Sequence, residues 1–349
     1  MSRWRYFLMR LGLMVPVLFL VMTIIFVALR MGPLDPVAAI LGPEGTGADA
    51  AAVREQLGLN EPLWRQYLEF IWSLLTFDLG QSWVIQEGRS VNDLIMIYAP
   101  RTIWLGLWAI LLPLFLGIPL GFYAGLHPNS WADYLASFSG IVWLAMPNFW
   151  LAIMLLTFLR RSDGSRFDWY QLGPEIRSII GTPPLDFIAI TDGPSVLPMW
   201  IAFDPGGFLV AVKLILPPAL VLGSASMAAE LRIGRTAMLE TINSNYVDTA
   251  RAKGLPHRII IWKHVFRNAL IPLVPIITNE AVLLIGGSVI IEYIFGINGL
   301  GALFFHAAVQ GDLPLAGSLI FFFTLIIILL NILQDLLYTL LDPRVGYER

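Results

Sequence analysis

The sequence predicts an all-α membrane protein with six transmembrane helices, and three observations carry that reading. Apolar residues make up 57% of the 349-residue chain and charged residues 13%, with a mean hydropathy of +0.73, a balance far from that of soluble domains. The apolar residues gather into six stretches, each near the roughly 20 helical residues that cross a hydrocarbon core of about 30 Å. Cationic residues are denser on one set of connections between those stretches than on the other, as the positive-inside bias requires.

The first span, 10–30, follows Arg3, Arg5 and Arg10. A cationic tip before an apolar run also describes a secretory signal, but this run is too long for one and no small-residue cleavage site follows, so it is expected to stay as an anchor. Residues 31–97 read as an extracytoplasmic segment with a Pro/Gly-rich entry, MGPLDP and LGPEGTG, and two expected helices, AAVREQLGL and PLWRQYLEFIWSLL. The second repeats its apolar residues at helical spacing, and its Trp64 and Trp72 suit headgroup depth. A membrane domain over 98–340 then holds spans at 102–126, 134–159, 208–229, 269–291 and 313–334, each bounded by charge or turn chemistry. Residues 160–207, rich in Asp, Gly and Pro, read as an extracytoplasmic lid or insertion, 230–268 as a cytoplasmic loop and 341–349 as a cytoplasmic tail. Pro113, Pro119, Pro147, Pro217 and Pro218 mark kinks whose freed carbonyls neighbouring helices must take up.

Arg232, Arg235, Arg251, Lys253, Arg258, Lys263 and Arg267 crowd the 230–268 loop. Together with the N-terminal arginines they place both termini in the cytoplasm. Acidic residues from Asp35 to Asp93 gather on the opposite side.

Several chemistries are excluded by type. The four histidines form no H-E-x-x-H pair, and there is no G-x-S-x-G elbow. A Walker loop needs Gly before Lys, yet Lys213, Lys253 and Lys263 follow Val, Ala and Trp. With no cysteine there is neither a disulfide framework nor a thiolate site. A membrane enzyme is therefore poorly supported, and no metal, bound cofactor or nucleic-acid partner is expected.

Polar residues inside the spans are few. Glu280, beside Asn279, falls mid-span, where an exposed charge costs several kcal/mol, so it faces protein or water. It either lines a water-filled pathway or sits as a structural pair or protonated carboxyl. Lys213, about 8 Å below the end of the fourth span, could reach towards it. Met146, Pro147 and Asn148 in WLAMPNFW form a bend that either lines the same pathway or is an ordinary feature of a bundle.

The basic stretch NYVDTARAKGLPHRIIIWKHVFRNALIP, 245–272, reads as a docking element. Asn245 can cap a helix, Asp248 suits its first turn, Arg251 and Lys253 its last, Gly254 the left-handed cap, and Pro256 forbids continuation. A helix of about two turns is marginal by itself and needs a surface to lie on. It offers Tyr246, Val247 and Ala250 as contact face; the surface belongs either to the chain itself or to a partner.

YVDTARAKG followed by WKHVFRNALIP resembles the cytoplasmic EAA-type loop of permease subunits in ABC importers, in the dipeptide and oligopeptide branch. Asp248, Thr249 and Ala250 stand where the general family writes Glu-Ala-Ala, and Gly254 matches its glycine; the first two positions depart from the pattern and the following proline is displaced. QLGLNEPLWRQYLEFI, FDLGQSW, APRTIWLGLWAILLPLFLGIPLGFYAG, MPNFW, GGSVIIEYIFGINGLG, DLPLAG and LLNILQDLLYTLLDPRV look like further blocks of that branch, in its order, while 160–207 is longer than usual there. The resemblance implies a type I importer permease in a prokaryotic cell membrane: one peripheral N-terminal helix and a five-helix core, paired with a homologous second permease. It also implies two ATPase subunits that use ATP and Mg, and an extracytoplasmic binding protein that delivers di- or oligopeptides. The coupling helix would be Tyr246, Val247, Asp248, Thr249, Ala250, Arg251, Ala252, Lys253 and Gly254, moving as a lever. Other members of the branch carry nickel, sugars or other small solutes. An ion-coupled secondary transporter, the alternative class, would need intramembrane ion sites and internal symmetry, for which Glu280 alone is thin support.

Overall fold

The computed structural model describes residues 3–31, 36–41, 48–56, 58–159, 169, 205–273 and 288–341. Within them regular structure is helical apart from one isolated antiparallel bridge, Gln81 to Ser90. In chain order the helices are α1 (Arg3–Met31), α2 (Pro36–Leu41), α3 (Ala48–Gln56), α4 (Leu63–Leu75), α5 (Val91–Leu112), α6 (Ile118–Leu126), α7 (Trp131–Ala145), α8 (Asn148–Leu159), α9 (Pro205–Ile242) and α10 (Asn245–Ala252). They continue as α11 (257–269, with a π turn at Ile260–Phe266), α12 (Ser288–Phe295), α13 (Leu300–Gln310) and α14 (Leu313–Leu341).

Among the described residues three continuous helical stretches are long and apolar enough to cross a membrane: Gly12–Arg30, Val91–Leu126 (α5 and α6 through the turn between them) and Leu313–Leu336. Three bent pairs, α7 with α8, the two parts of α9, and α12 with α13, would raise the number to six if each is one span. α1 exposes Leu13, Val17, Leu20, Ile24 and Val27, spaced so that all fall on one face. Its other side buries Met22, Ile25 and Phe26 and packs along α14.

The centre is α9, which packs against α5, α6, α7 and α8. Trp104 and Leu105 of α5, Leu214 and Ile215 of α9 and Ile291 and Phe295 of α12 form one buried cluster. A second joins α1, α4, the first turns of α5, α13 and α14 through Met22, Ile71, Leu74, Leu94, Leu303 and Phe321. A third, at the far end of α9, gathers Phe122, Met238, Val247, Ala250, Val265 and Leu273.

Glycine sets how closely α9 approaches its neighbours. A methyl at Gly117 would stand 3.0 Å from the Met227 carbonyl oxygen, one at Gly125 2.8 Å from that of Arg235, and one at Gly121 would collide with the Leu231 carbonyl. The four-residue step is shared by both helices, so α6 and α9 run side by side in the same direction, as small-xxx-small packing allows. Pro113 cannot donate to Ala109 and its ring crowds that carbonyl, so the ladder slips into a π turn over Pro113–Gly117. The Ala109 carbonyl lies against Gly223 of α9, where any Cβ would collide.

Helix ends match the expected spans at Arg30, Leu159 and Asp312 but differ where the charge is buried within a helix. α5 begins at Val91, well before 102, because Arg101 is buried, its Nη1 donating to the Asn298 carbonyl at 2.8 Å and its guanidinium 5.5 Å from the Tyr98 ring centroid. α9 continues to Ile242, so 230–242 is helix rather than loop, and Glu230 is fully buried on it. The stretch 134–159 is two helices at 98°. The last connection carries α13, with the exposed His306 on it, at 89° to α12. Asn279 and Glu280 lie outside the described residues, as do Gly286, Gly287, the tail 342–349 and all of 160–204 except Trp169.

Candidate functional site

The docking element is built from its own cap residues outward. Ser244, not Asn245, is the N-cap of α10. Only Asn243 and Ser244 separate α9 from α10, and Ser244 turns extended, its carbonyl accepting from the Val247 N–H at 2.9 Å. Its hydroxyl turns back and donates to the Thr241 carbonyl. The helix ends in a Schellman motif: the Gly254 N–H reaches the Arg251 carbonyl at 2.9 Å and the Leu255 N–H reaches Ala250 at 3.3 Å. Gly254 holds φ +70° with open space around it, so the requirement there is for the backbone angle alone.

The expected contact face divides. Val247 and Ala250 are buried, at 0% and 6% exposure, among Phe122, Met238, Ile260 and Val265 of the same chain. They root the helix. Tyr246 is exposed, as are Asp248, Thr249, Arg251, Ala252, Lys253 and Gly254, with Arg251 and Asp248 paired at 3.1 Å on the outer side. The face available to a partner is therefore Tyr246, Thr249 and the charged shoulder, while the expected Val247 and Ala250 contact is internal.

One element further out, Arg235 of α9 binds Asp133 at the start of α7, Nη2 to Oδ2 at 2.8 Å and Nε to Oδ1. Asp133 is nearly fully buried and also accepts from the Asn129 N–H at 3.0 Å, while Ser130 Oγ caps the helix by accepting from the Asp133 N–H. α7 leads to the elbow, where Met146 closes the helix in an extended conformation, Pro147 follows and Asn148 opens α8. The structure thus brings Met146 and Asn148 together, both half-buried. Lys213 stands 5.5 Å from the Trp169 ring centroid, and Trp169 Nε1 donates to the Lys213 carbonyl at 2.8 Å.

Two buried carboxylates expected as span boundaries act as clasps, Asp312 at the boundary of α14 itself and Glu292 inside α12. Glu292 accepts from Thr102 Oγ1 at 2.8 Å and from the Ala302 N–H at 2.9 Å, and the Leu300 N–H donates to Thr102 Oγ1. It joins α5, α12 and the first turn of α13 across the 89° bend. Asp312, fully buried, accepts from Ser82 Oγ and from the N–H groups of Trp83, Val84 and Ile85 at 3.2, 3.0 and 3.0 Å, and caps α14 at the Leu315 N–H. The usable signal was an acid immediately before a helix start, as in GDLPLAG. Among the described residues no group of three or more acids and histidines converges as a metal site.

A family model described as "Binding-protein-dependent transport system inner membrane component" matches residues 117–347, and its N-terminal counterpart matches residues 3–103. The chain is 32% identical over 342 residues to the oligopeptide transport system permease protein AppB of Bacillus subtilis, covering 98% of this chain and 99% of that one. It is 33% identical over 342 residues to the dipeptide transport system permease protein DppB of Alkalihalophilus pseudofirmus, with 98% and 99% covered. To DppB of Escherichia coli K12 it is 32% identical over 346 residues, with 99% of each chain covered.

Proposed function

The chain belongs to the family of binding-protein-dependent transport system inner membrane components, and from that premise we propose that it is a permease subunit of an ATP-driven importer of di- and oligopeptides. It is a transport subunit rather than a catalyst. The observation that carries the peptide assignment is the near end-to-end match to permeases named for oligopeptide and dipeptide transport.

In this reading six spans cross a prokaryotic cell membrane with both termini inside, and the chain forms about half of the pathway wall beside a homologous second permease. Two ATPase subunits supply the energy from ATP and Mg, and a binding protein delivers peptide from outside. α10 docks on an ATPase by Tyr246, Thr249 and the Arg251–Lys253 shoulder. When the ATPases close they displace α10 as a rigid body. Its buried underside, Val247 and Ala250, passes the motion to α6 and α9, and the Asp133–Arg235 pair passes it to α7. The elbow at Met146 to Asn148 then turns, and it lines the pathway together with Asn279 and Glu280.

The test is reconstitution of the chain with its partner permease, ATPases and binding protein in liposomes. Uptake of labelled dipeptide that needs ATP and binding protein is the expected result. Uptake of nickel or a sugar with no peptide uptake would move the substrate to another member of the branch, and nucleotide-free accumulation by the chain alone would overturn the reading.

A further inference from the structure

α4 carries three distinct faces. Gln66, Ile71 and Leu74 are buried, with Tyr67 and Phe70 half-buried beside them. A polar face follows, on which Arg65 pairs with Glu61 at 3.1 Å and with Glu69 at 3.2 Å. The third face is apolar and exposed: Trp64, Leu68, Trp72 and Leu75, with the two tryptophans at 66% and 68% exposure. A surface helix needs only the first two; a second apolar face requires a second apolar environment.

The anchoring of α4 says what that environment is. Its buried face sits on α1, where the Tyr67 and Phe70 rings lie 5.3 and 5.7 Å from Phe26 and the Tyr67 hydroxyl is 2.8 Å from Thr23 Oγ1. Phe26 is about 6 Å, at 1.5 Å per residue, from Arg30, where the apolar window of α1 ends. Just past the other end of α4, the Phe77 ring lies 6.2 Å from that of Phe321, and Ser82 is clasped to Asp312 at the very start of α14. α4 is thus pinned between the ends of two apolar helices, at the side where α1 finishes and α14 begins. Its exposed apolar face is a continuous strip along the helix, and the charged face carrying Arg65 and Glu69 borders that strip.

We propose that α4 is an interfacial helix embedded in the headgroup–acyl boundary of the bilayer, with Trp64, Leu68, Trp72 and Leu75 in lipid and the Glu61–Arg65–Glu69 ladder in water. Tryptophan is suited to this depth, having an apolar ring and one donor for the headgroup layer. An amphipathic helix with one apolar face in the boundary and charges on the other binds there in proportion to the apolar area it buries. The occupant is the lipid surface itself, and α4 fixes the depth at which the ends of α1 and α14 sit.

The chain has no cysteine, so single cysteines can be placed without removing any. Leu68→Cys, Trp72→Cys, Arg65→Cys and Glu69→Cys are each spin-labelled in the full chain, assembled with its partner subunits in phosphatidylethanolamine and phosphatidylglycerol vesicles. Ile24→Cys on the α1 stripe is the control. Labels at 68 and 72 are expected to collide with dissolved oxygen several-fold more than with a water-soluble paramagnetic chelate, with the reverse at 65 and 69. Chelate accessibility at 68 and 72 while 24 reads lipid would overturn the proposal without touching the membrane assignment. So would chelate protection that appears at 68 and 72 only when the binding protein is added, which would make the face a protein contact instead.

Discussion

Arg235 grips Asp133 through two parallel donor–acceptor pairs, which tie the start of α7 to the C-terminal part of α9. Arg235→Ala leaves a carboxylate buried without its cation. The cost is expected at about 1–3 kcal/mol, below that of breaking a fully buried pair because Arg235 is 30% exposed. Arg235→Lys keeps the charge but not the fork and should fall between. Thermal unfolding of the purified complex in detergent checks the order; equal stability of all three would remove the pair from the structural account.

The two sides of α10 should respond differently. Ala250→Leu forces volume into the chain's own core and should cost about 1–3 kcal/mol of stability. Thr249→Trp adds bulk to the exposed side, so stability should hold while substrate-stimulated ATP hydrolysis falls. Unfolding midpoint and ATPase rate measured on both variants distinguish the faces, and a stable Ala250→Leu complex would contradict the inward packing.

Gly254→Ala meets no neighbouring atom, so its whole effect is the left-handed backbone angle, worth about 1–2 kcal/mol. Gly254→Asn should recover part of that loss, because asparagine enters this region more readily. Coupled ATPase activity is expected in the order Gly, Asn, Ala, and the inverse order of Asn and Ala would show that space rather than φ matters.

Two glycines of the α5–α6 stretch make a controlled pair. Gly121→Ala must push α6 from α9, since its methyl would enter the Leu231 carbonyl, whereas Gly106→Ala meets nothing within 4 Å. A clear fall in unfolding temperature is expected for the first and none for the second, to which alanine adds helix propensity of up to about 1 kcal/mol.

Asp312→Ala strips the acceptor from Ser82 and from the N–H groups of 83–85, and an orphaned buried donor costs about 1–3 kcal/mol. Hydrogen exchange should accelerate at Trp83, Val84 and Ile85 while amides of α1 stay protected. Asp312→Asn, which keeps one acceptor oxygen, should show less. Unchanged exchange in Asp312→Ala would mean the loop holds itself.

What the sequence made legible was whatever depends on local pattern. Apolar length places α1 and α14, apolar period places α4, and Gly254 reads as a left-handed stop because its neighbours supply helix and Pro256 forbids its continuation. Long-range burial was not legible. Arg101, Glu230 and Glu292 look like ends of spans in a linear reading, and only packing against distant elements reveals them as groups inside helices; Asp312 does bound a span, but its burial is equally invisible there. The same limit divides α10: its spacing offered Val247 and Ala250 as a contact face without saying that Phe122 and Val265 would occupy it first. The run of Gly117, Gly121 and Gly125 takes its meaning from packing on α9, whose Met227, Leu231 and Arg235 lie far along the chain.

The clasp between Ser82 and Asp312 joins residues 230 positions apart. At a synthesis rate of about 5–20 residues per second, some 10–50 s pass between the making of one half and the other. During that interval the newly made α4 region has its lock still open and rests on the Phe26, Tyr67 and Phe70 rings, the Thr23 contact and the packing of Ile71 and Leu74 against Met22 and Leu94. The contacts within the early half of the chain are thus complete roughly 200 residues before its last helix is made.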